Sequence, residues 1–125
     1  MIEKISTANA PGAIGPYSQA VVCGNFVFTS GQIAINPATG NVEATDIVGQ
    51  TEQVMKNLGA VLEAAGSSYD KAVKTTCFLA EMADFAAFNE IYGKYFSSKP
   101  ARSCVAAKAL PKGVLVEVEV IAEIG

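Results

Sequence analysis

The chain has no histidine and no tryptophan, and a single arginine. Each shortage excludes a kind of chemistry. Without histidine there is no imidazole general base, no Ser-His or Cys-His nucleophile pair, and no imidazole ligand for a transition metal. Without tryptophan a chain of 125 residues offers little platform for a sugar, so a paired-carboxylate glycosidase built on Glu117 and Glu119 is a poor fit. Cationic side chains are few and scattered, nine against twelve acids, giving a net charge of −3. That balance lacks the clustered Lys and Arg of a nucleic-acid footprint. Three cysteines, Cys23, Cys77 and Cys104, form no CxxC pair and suggest neither a disulfide framework nor a zinc site. No run approaches the ~20 apolar residues of a membrane span, and the first residues lack the apolar core of a signal peptide. A cytoplasmic location is the expectation.

What remains is aliphatic. Half of the residues are hydrophobic and only 17% are charged. One domain over 1–125 is expected, with a core of real size and further apolar surface to hide in an oligomer. There is no internal repeat and no linker. Residues 18–23 and 25–34 read as strands joined at Gly24-Asn25, after a short first strand and the Pro/Gly loop APGAIGPY. Pro37 to Gly40, in NPATG, is a turn. From Asp46 the apolar period becomes helical up to a stop at Gly66. Residues 71–80 are strand-like. A second helix is expected from Asp84, as N-cap, with an aromatic face of Phe85, Phe88, Tyr92 and Tyr95 assigned to the core. Strands over about 102–108 and 114–124 complete the order β-β-β-α-β-α-β-β. This is an α+β arrangement in which two helices cover one face of a single mixed sheet.

The last strand alternates sharply. Val116, Val118, Val120 and Ala122 share one face; Glu117 and Glu119 share the other with Leu115 and Ile121. The valine face suits the helices. The acid face meets water or a second subunit, and subunit contact is the better expectation.

Chemistry must run on carboxylates, Tyr, Ser, Cys, Lys, Arg102 and backbone amides. Arg102 is the strongest candidate, since its planar fork grips a carboxylate as lysine cannot. The plainer alternative is an ion pair with Glu117 or Glu119 on a neighbouring strand. Glu117 or Glu119, partly buried, could instead handle a proton or a water. The Gly15-Pro16 turn could aim the Tyr17 phenol inward. Ser30-Gly31 interrupts an apolar strand, which marks a bulge or close approach to a ligand, with the Ser30 hydroxyl and the Gly31 amide as donors. Cys104 shares a face with Arg102 but lacks a base, so its amide is of more interest than its thiol.

Six segments, in this order, resemble one family: AIGPYSQA (13–20), TSGQI (29–33), NPATG (36–40), DIVGQTEQVMKNL (46–58), FAAFNEIY (85–92), and PARSCV with LPKGVLVEVEVIA (100–122). The chain is similar to the RidA family (YjgF/YER057c/UK114) over essentially its whole length. The resemblance implies a chorismate mutase-like fold and a homotrimer with three sites at subunit interfaces. It implies hydrolysis of 2-imino acids, 2-iminobutanoate and 2-iminopropanoate, to 2-keto acids and ammonia, with no cofactor or metal. It places Arg102 as carboxylate clamp, the Cys104 amide as a second donor, and Glu117 on the attacking water. Tyr17, Ser30 and Gly31 would line the imine end, and Asn89 matches the family's pocket asparagine. A non-enzymatic 2-keto acid-binding protein would use the same residues. A ribonuclease or translation inhibitor is disfavoured by the charge.

Overall fold

The computed structural model describes residues 1–125. Eight strands and two helices follow along the chain: β1 (Ile2–Ile5), β2 (Ala20–Cys23), β3 (Phe26–Thr29), β4 (Ile35–Asn36), β5 (Asn41–Val42), α1 (Ile47–Ala64), β6 (Ala72–Leu79), α2 (Phe85–Tyr95), β7 (Ala101–Ala106) and β8 (Val116–Glu123). Six of them form one mixed sheet in the order β1-β2-β3-β8-β6-β7, and β4 and β5 form a small separate ribbon. That ribbon flanks the turn at Pro37–Gly40 and was not expected as strand.

Helix α1 begins where Asp46 Oδ1 accepts the Gly49 amide at 2.9 Å. It ends in a Schellman pattern. Gly66 sits at φ +81°, its amide bonds Glu63 O at 3.0 Å, and the Ser67 amide reaches back to Leu62 O at 2.8 Å. Asp84 flanks α2 as expected, but its side chain makes no capping bond. A 3-10 turn over Met82–Asp84 leads the chain into the helix instead.

Both helices lie on one side of the sheet. Val116, Val118, Val120 and Ala122 of β8 are buried there with Val54, Leu58, Val61 and Leu62 of α1 and Phe88, Ile91 and Tyr92 of α2. Each of these valine, leucine and isoleucine side chains stabilises the fold by about 1.5–3 kcal/mol through its removal from water. On the opposite side Phe26, Phe28 and Val105 stay exposed. No helix is long and apolar enough to cross a membrane.

Two details of the sheet position the candidate site. First, β6 and β7 are parallel and joined through α2, and β7, which pairs with β6 alone, is a sheet edge. Second, β3 stops at Thr29, short of the expected end at residue 34. Phe28 faces Ile121, while Gln32 faces Val118. Four steps along one chain match three along the other, so one extra residue is inserted at Ser30-Gly31. This is a β-bulge. Thr29 Oγ1 accepts the Val120 amide at 3.0 Å across the break.

Candidate active site

The candidate residues fall into two groups. The first is built on β7 and α2. Arg102 is half-buried and registers with Thr75 of β6, so its side chain points to the helix side. There α2 offers Phe85, Asn89 and Tyr92, at spacings of four and three, which is one helical face. The guanidinium lies over the Tyr92 ring at 4.9 Å and near the Phe85 ring at 5.4 Å, and Nη1 donates to Asn89 Oδ1 at 2.7 Å. Asn89, Tyr92, Lys99 and Arg102 line a groove of ≈ 400 Å³.

Cys104 lies two residues on, beside Cys77 in the register. The Ala107 amide donates to Leu79 O at 2.8 Å. Stepping back by two along a parallel ladder, the amides of 105 and 103 also point to β6. Those of Arg102 and Cys104 therefore point outward from the sheet edge. A guanidinium and an outward N–H on one edge are the kind of donors that could hold a carboxylate. The thiols add little reactivity. Burial pushes Cys77 up to about 12, and burial also raises Cys104 against the lowering field of Arg102.

The second group is built on β8, the bulge and the loop before β2. Glu117 registers with Phe78, so it projects from the open face. It is half-buried and lies against Gly31: a Cβ built there would stand 2.9 Å from Glu117 Cδ. Loss of solvent raises the Glu117 carboxyl above 4.5, and the charge of Glu119 raises it further. The Gly31 amide has no hydrogen-bond partner in the chain. Ser30 behaves differently from expectation, because its hydroxyl proton is committed to Ser18 O. It presents acceptor lone pairs, and Gly31 is the free donor. Tyr17 reaches this cleft, yet it is 54% exposed and stands at the rim rather than pointing inward. The cleft holds ≈ 550 Å³ and is also lined by Ile14, Ile33 and Lys112.

The loop carrying Tyr17 is pinned by Gln19, which is almost fully buried. Its Oε1 accepts the Thr7 amide at 2.7 Å, and its Nε2 donates to Pro11 O at 2.7 Å. Asn89 is named from the sequence, but Gln19 and the place of Phe85 and Tyr92 beside Arg102 are not. The four-three spacing around Asn89 is the signal that would have revealed the latter.

The two groups do not meet within one chain. Strand β6 separates β7 from β8. Glu117 aligns through Phe78 with Val105, three residues beyond Arg102. Two strand spacings of ~4.8 Å and three residues of ~3.3 Å put the Cα atoms ~14 Å apart, with the side chains on opposite faces. The plainer alternative, an intrachain ion pair between Arg102 and Glu117 or Glu119, is therefore not formed. Arg102 bonds Asn89 instead, and Glu119 lines a small pocket of ≈ 140 Å³ with Lys74 and Thr76.

The sequence profile of the family described as Endoribonuclease L-PSP matches residues 7–124. The chain belongs to this family, the RidA/YjgF family. Among RidA/YjgF relatives, a RutC family protein of Pyrococcus horikoshii is 54% identical over 98% of both chains. The human 2-iminobutanoate/2-iminopropanoate deaminase is 47% identical over 94% of this chain and 87% of its own. The crystal structure of Escherichia coli TdcF with bound serine superposes with a TM-score of 0.93 at 43% identity, covering 98% of this chain and 99% of that one.

Proposed function

We propose that the protein hydrolyses small 2-imino acids to 2-keto acids and ammonia, at sites completed by two copies of the chain. The observation that carries this reading is the split itself. In a 2-imino acid the carboxylate carbon is bonded directly to the imine carbon, so a clamp and a water-holding acid must converge. Arg102 and Glu117 cannot do so within one chain, but the open face and free β7 edge let one copy's clamp meet its neighbour's Glu117. A closed homotrimer supplies three such sites. The human relative named 2-iminobutanoate/2-iminopropanoate deaminase, and a relative whose structure holds bound serine, a small amino acid, support the same substrate class.

The chemistry follows from the groups. Arg102 and the Cys104 amide hold the carboxylate. Glu117 accepts a proton from water as the oxygen attacks C2 of the protonated imine. The tetrahedral adduct carries a hydroxyl and an amine on one carbon. Glu117 returns the proton to nitrogen and then takes the hydroxyl proton as the C–N bond breaks, so that ammonia leaves and a neutral carbonyl remains; Glu117 gives this last proton to the departing ammonia or to water. A carboxyl raised by burial suits both halves of this exchange. Positioning supplies most of the acceleration, because the imine is already electrophilic.

The test generates 2-iminobutanoate in situ with a threonine dehydratase and follows keto-acid formation. Added protein should accelerate release, and Arg102→Ala should abolish that effect. No acceleration over buffer, together with tight 2-oxobutanoate binding, would instead favour a keto acid-binding protein. RNA cleavage, named in the family's description, finds few cations here to hold phosphates. RNA binding that persists at moderate salt would reverse that judgement.

A further inference from the structure

Resting on the carboxylate clamp just described, we infer that Tyr92, locked by Thr75 and assisted by Phe85, is the positioning residue that fixes the plane of the Arg102 guanidinium. Three contacts define a plane, and α2 supplies all three from one face. The Tyr92 ring lies under the cation at 4.9 Å, Phe85 stands beside it at 5.4 Å, and Asn89 Oδ1 takes an Nη1 proton at 2.7 Å. Arginine side chains stack readily on aromatic faces, and a stacked guanidinium keeps its remaining N–H groups in a defined plane.

The platform is itself fixed. The Tyr92 hydroxyl and Thr75 Oγ1 are 2.6 Å apart. Thr75 is fully buried and sits opposite Arg102 in the parallel register. The cation, its platform and the platform's anchor are thus tied across β7, α2 and β6. A free arginine would lose rotamer freedom on gripping a ligand, which opposes binding. An arginine already held flat loses less. Tyr92 and Phe85 therefore act on substrate affinity through Arg102 and do not touch the reacting atoms.

The experiment titrates the whole protein with 2-oxobutanoate and measures kcat and KM for imine hydrolysis, with circular dichroism as the folding check. Tyr92→Leu should weaken 2-oxobutanoate binding and raise KM by about tenfold, leaving kcat within about twofold. Tyr92→Phe keeps the ring but loses the bond to Thr75, so it should weaken 2-oxobutanoate binding by about two- to threefold, less than Tyr92→Leu; a loss as large as that of Tyr92→Leu would overturn the part given to the ring. Phe85→Leu, on the half-exposed rim, should raise the Kd by about two- to threefold. A Tyr92→Leu protein that folds and binds 2-oxobutanoate like the parent overturns the inference, as does a loss confined to kcat. If Tyr92→Leu does not fold, an unchanged Kd in Phe85→Leu overturns it. The titration needs no turnover. A parent that binds 2-oxobutanoate without hydrolysing imines removes the deaminase reading alone, whereas a parent that does not bind it removes both.

Discussion

Arg102 and Glu117 lie on opposite faces of one sheet, with β6 between their strands. Each is well organised where it stands. The cation is stacked and hydrogen-bonded, and the acid is half-buried against a glycine of a bulge. The proposed shared site would join these two groups from different copies, and Phe26, Phe28 and Val105, exposed on the open face, are apolar surface that such a contact would cover.

Gly31→Ala tests the seat of Glu117. The Gly31 backbone is not in the left-handed region, so alanine fits its conformation. The new methyl would collide with the end of a flexible side chain, which can swing away. The fold should survive with a loss below about 1 kcal/mol, while the displaced carboxylate loses its aim and the rate falls by about a hundredfold. Thermal melting and initial rates measured together check this.

Cys104 separates thiol from amide. Cys104→Ala removes the sulfur and keeps the outward N–H, so the rate should stay within about threefold of the parent. Cys104→Pro removes the N–H, and because that group points away from β6 no ladder bond is lost. Binding of 2-oxobutanoate should weaken by about tenfold in the proline variant, the effect of one hydrogen bond to a charged group. Equal affinity in both variants would remove the amide from the clamp.

The raised carboxyl of Glu117 gives two linked pH effects. For catalysis, the acid must be ionised to accept a proton, so kcat/KM should fall on the acidic side around a pKa above 4.5. For stability the sign is opposite to that of a salt-bridged acid. Well below 4.5 Glu117 is protonated folded or unfolded and contributes nothing. As pH rises from the unfolded value through the raised folded value, the fold must surrender a proton it favours, and stability falls to a lower plateau. Glu117→Gln should therefore be inactive yet melt higher than the parent at neutral pH, with the gain vanishing in acid. Melting curves at several pH values read this directly.

The fold was legible in the sequence where a single physical cause dominated. The alternation in Val116–Glu123 names the buried face, and Asp46 with Gly66 bounds α1. The bulge at Ser30-Gly31 was legible as an interrupted strand, although its extra residue and the early end of β3 emerge only from pairing with β8. Strand order was not legible. Proximity of Arg102 to Glu117 along the chain suggested neighbouring strands, and the long-range insertion of β6 between them overrides it. The aromatic stripe of α2 reads as core by period alone. Its dual use under Arg102 depends on which strand lands opposite, and local pattern does not carry that information.

Mixing two inactive variants tests the shared site most directly. Arg102→Ala retains Glu117, and Glu117→Gln retains Arg102. The two proteins, each inactive alone, would be unfolded together, refolded at equal concentration and assayed. If each site takes its clamp from one copy and its acid from the next, about a quarter of randomly assembled sites carry both groups, and activity should return to about a quarter of the parent's. A refolded mixture of the expected oligomeric size that remains as inactive as its components would contradict the account.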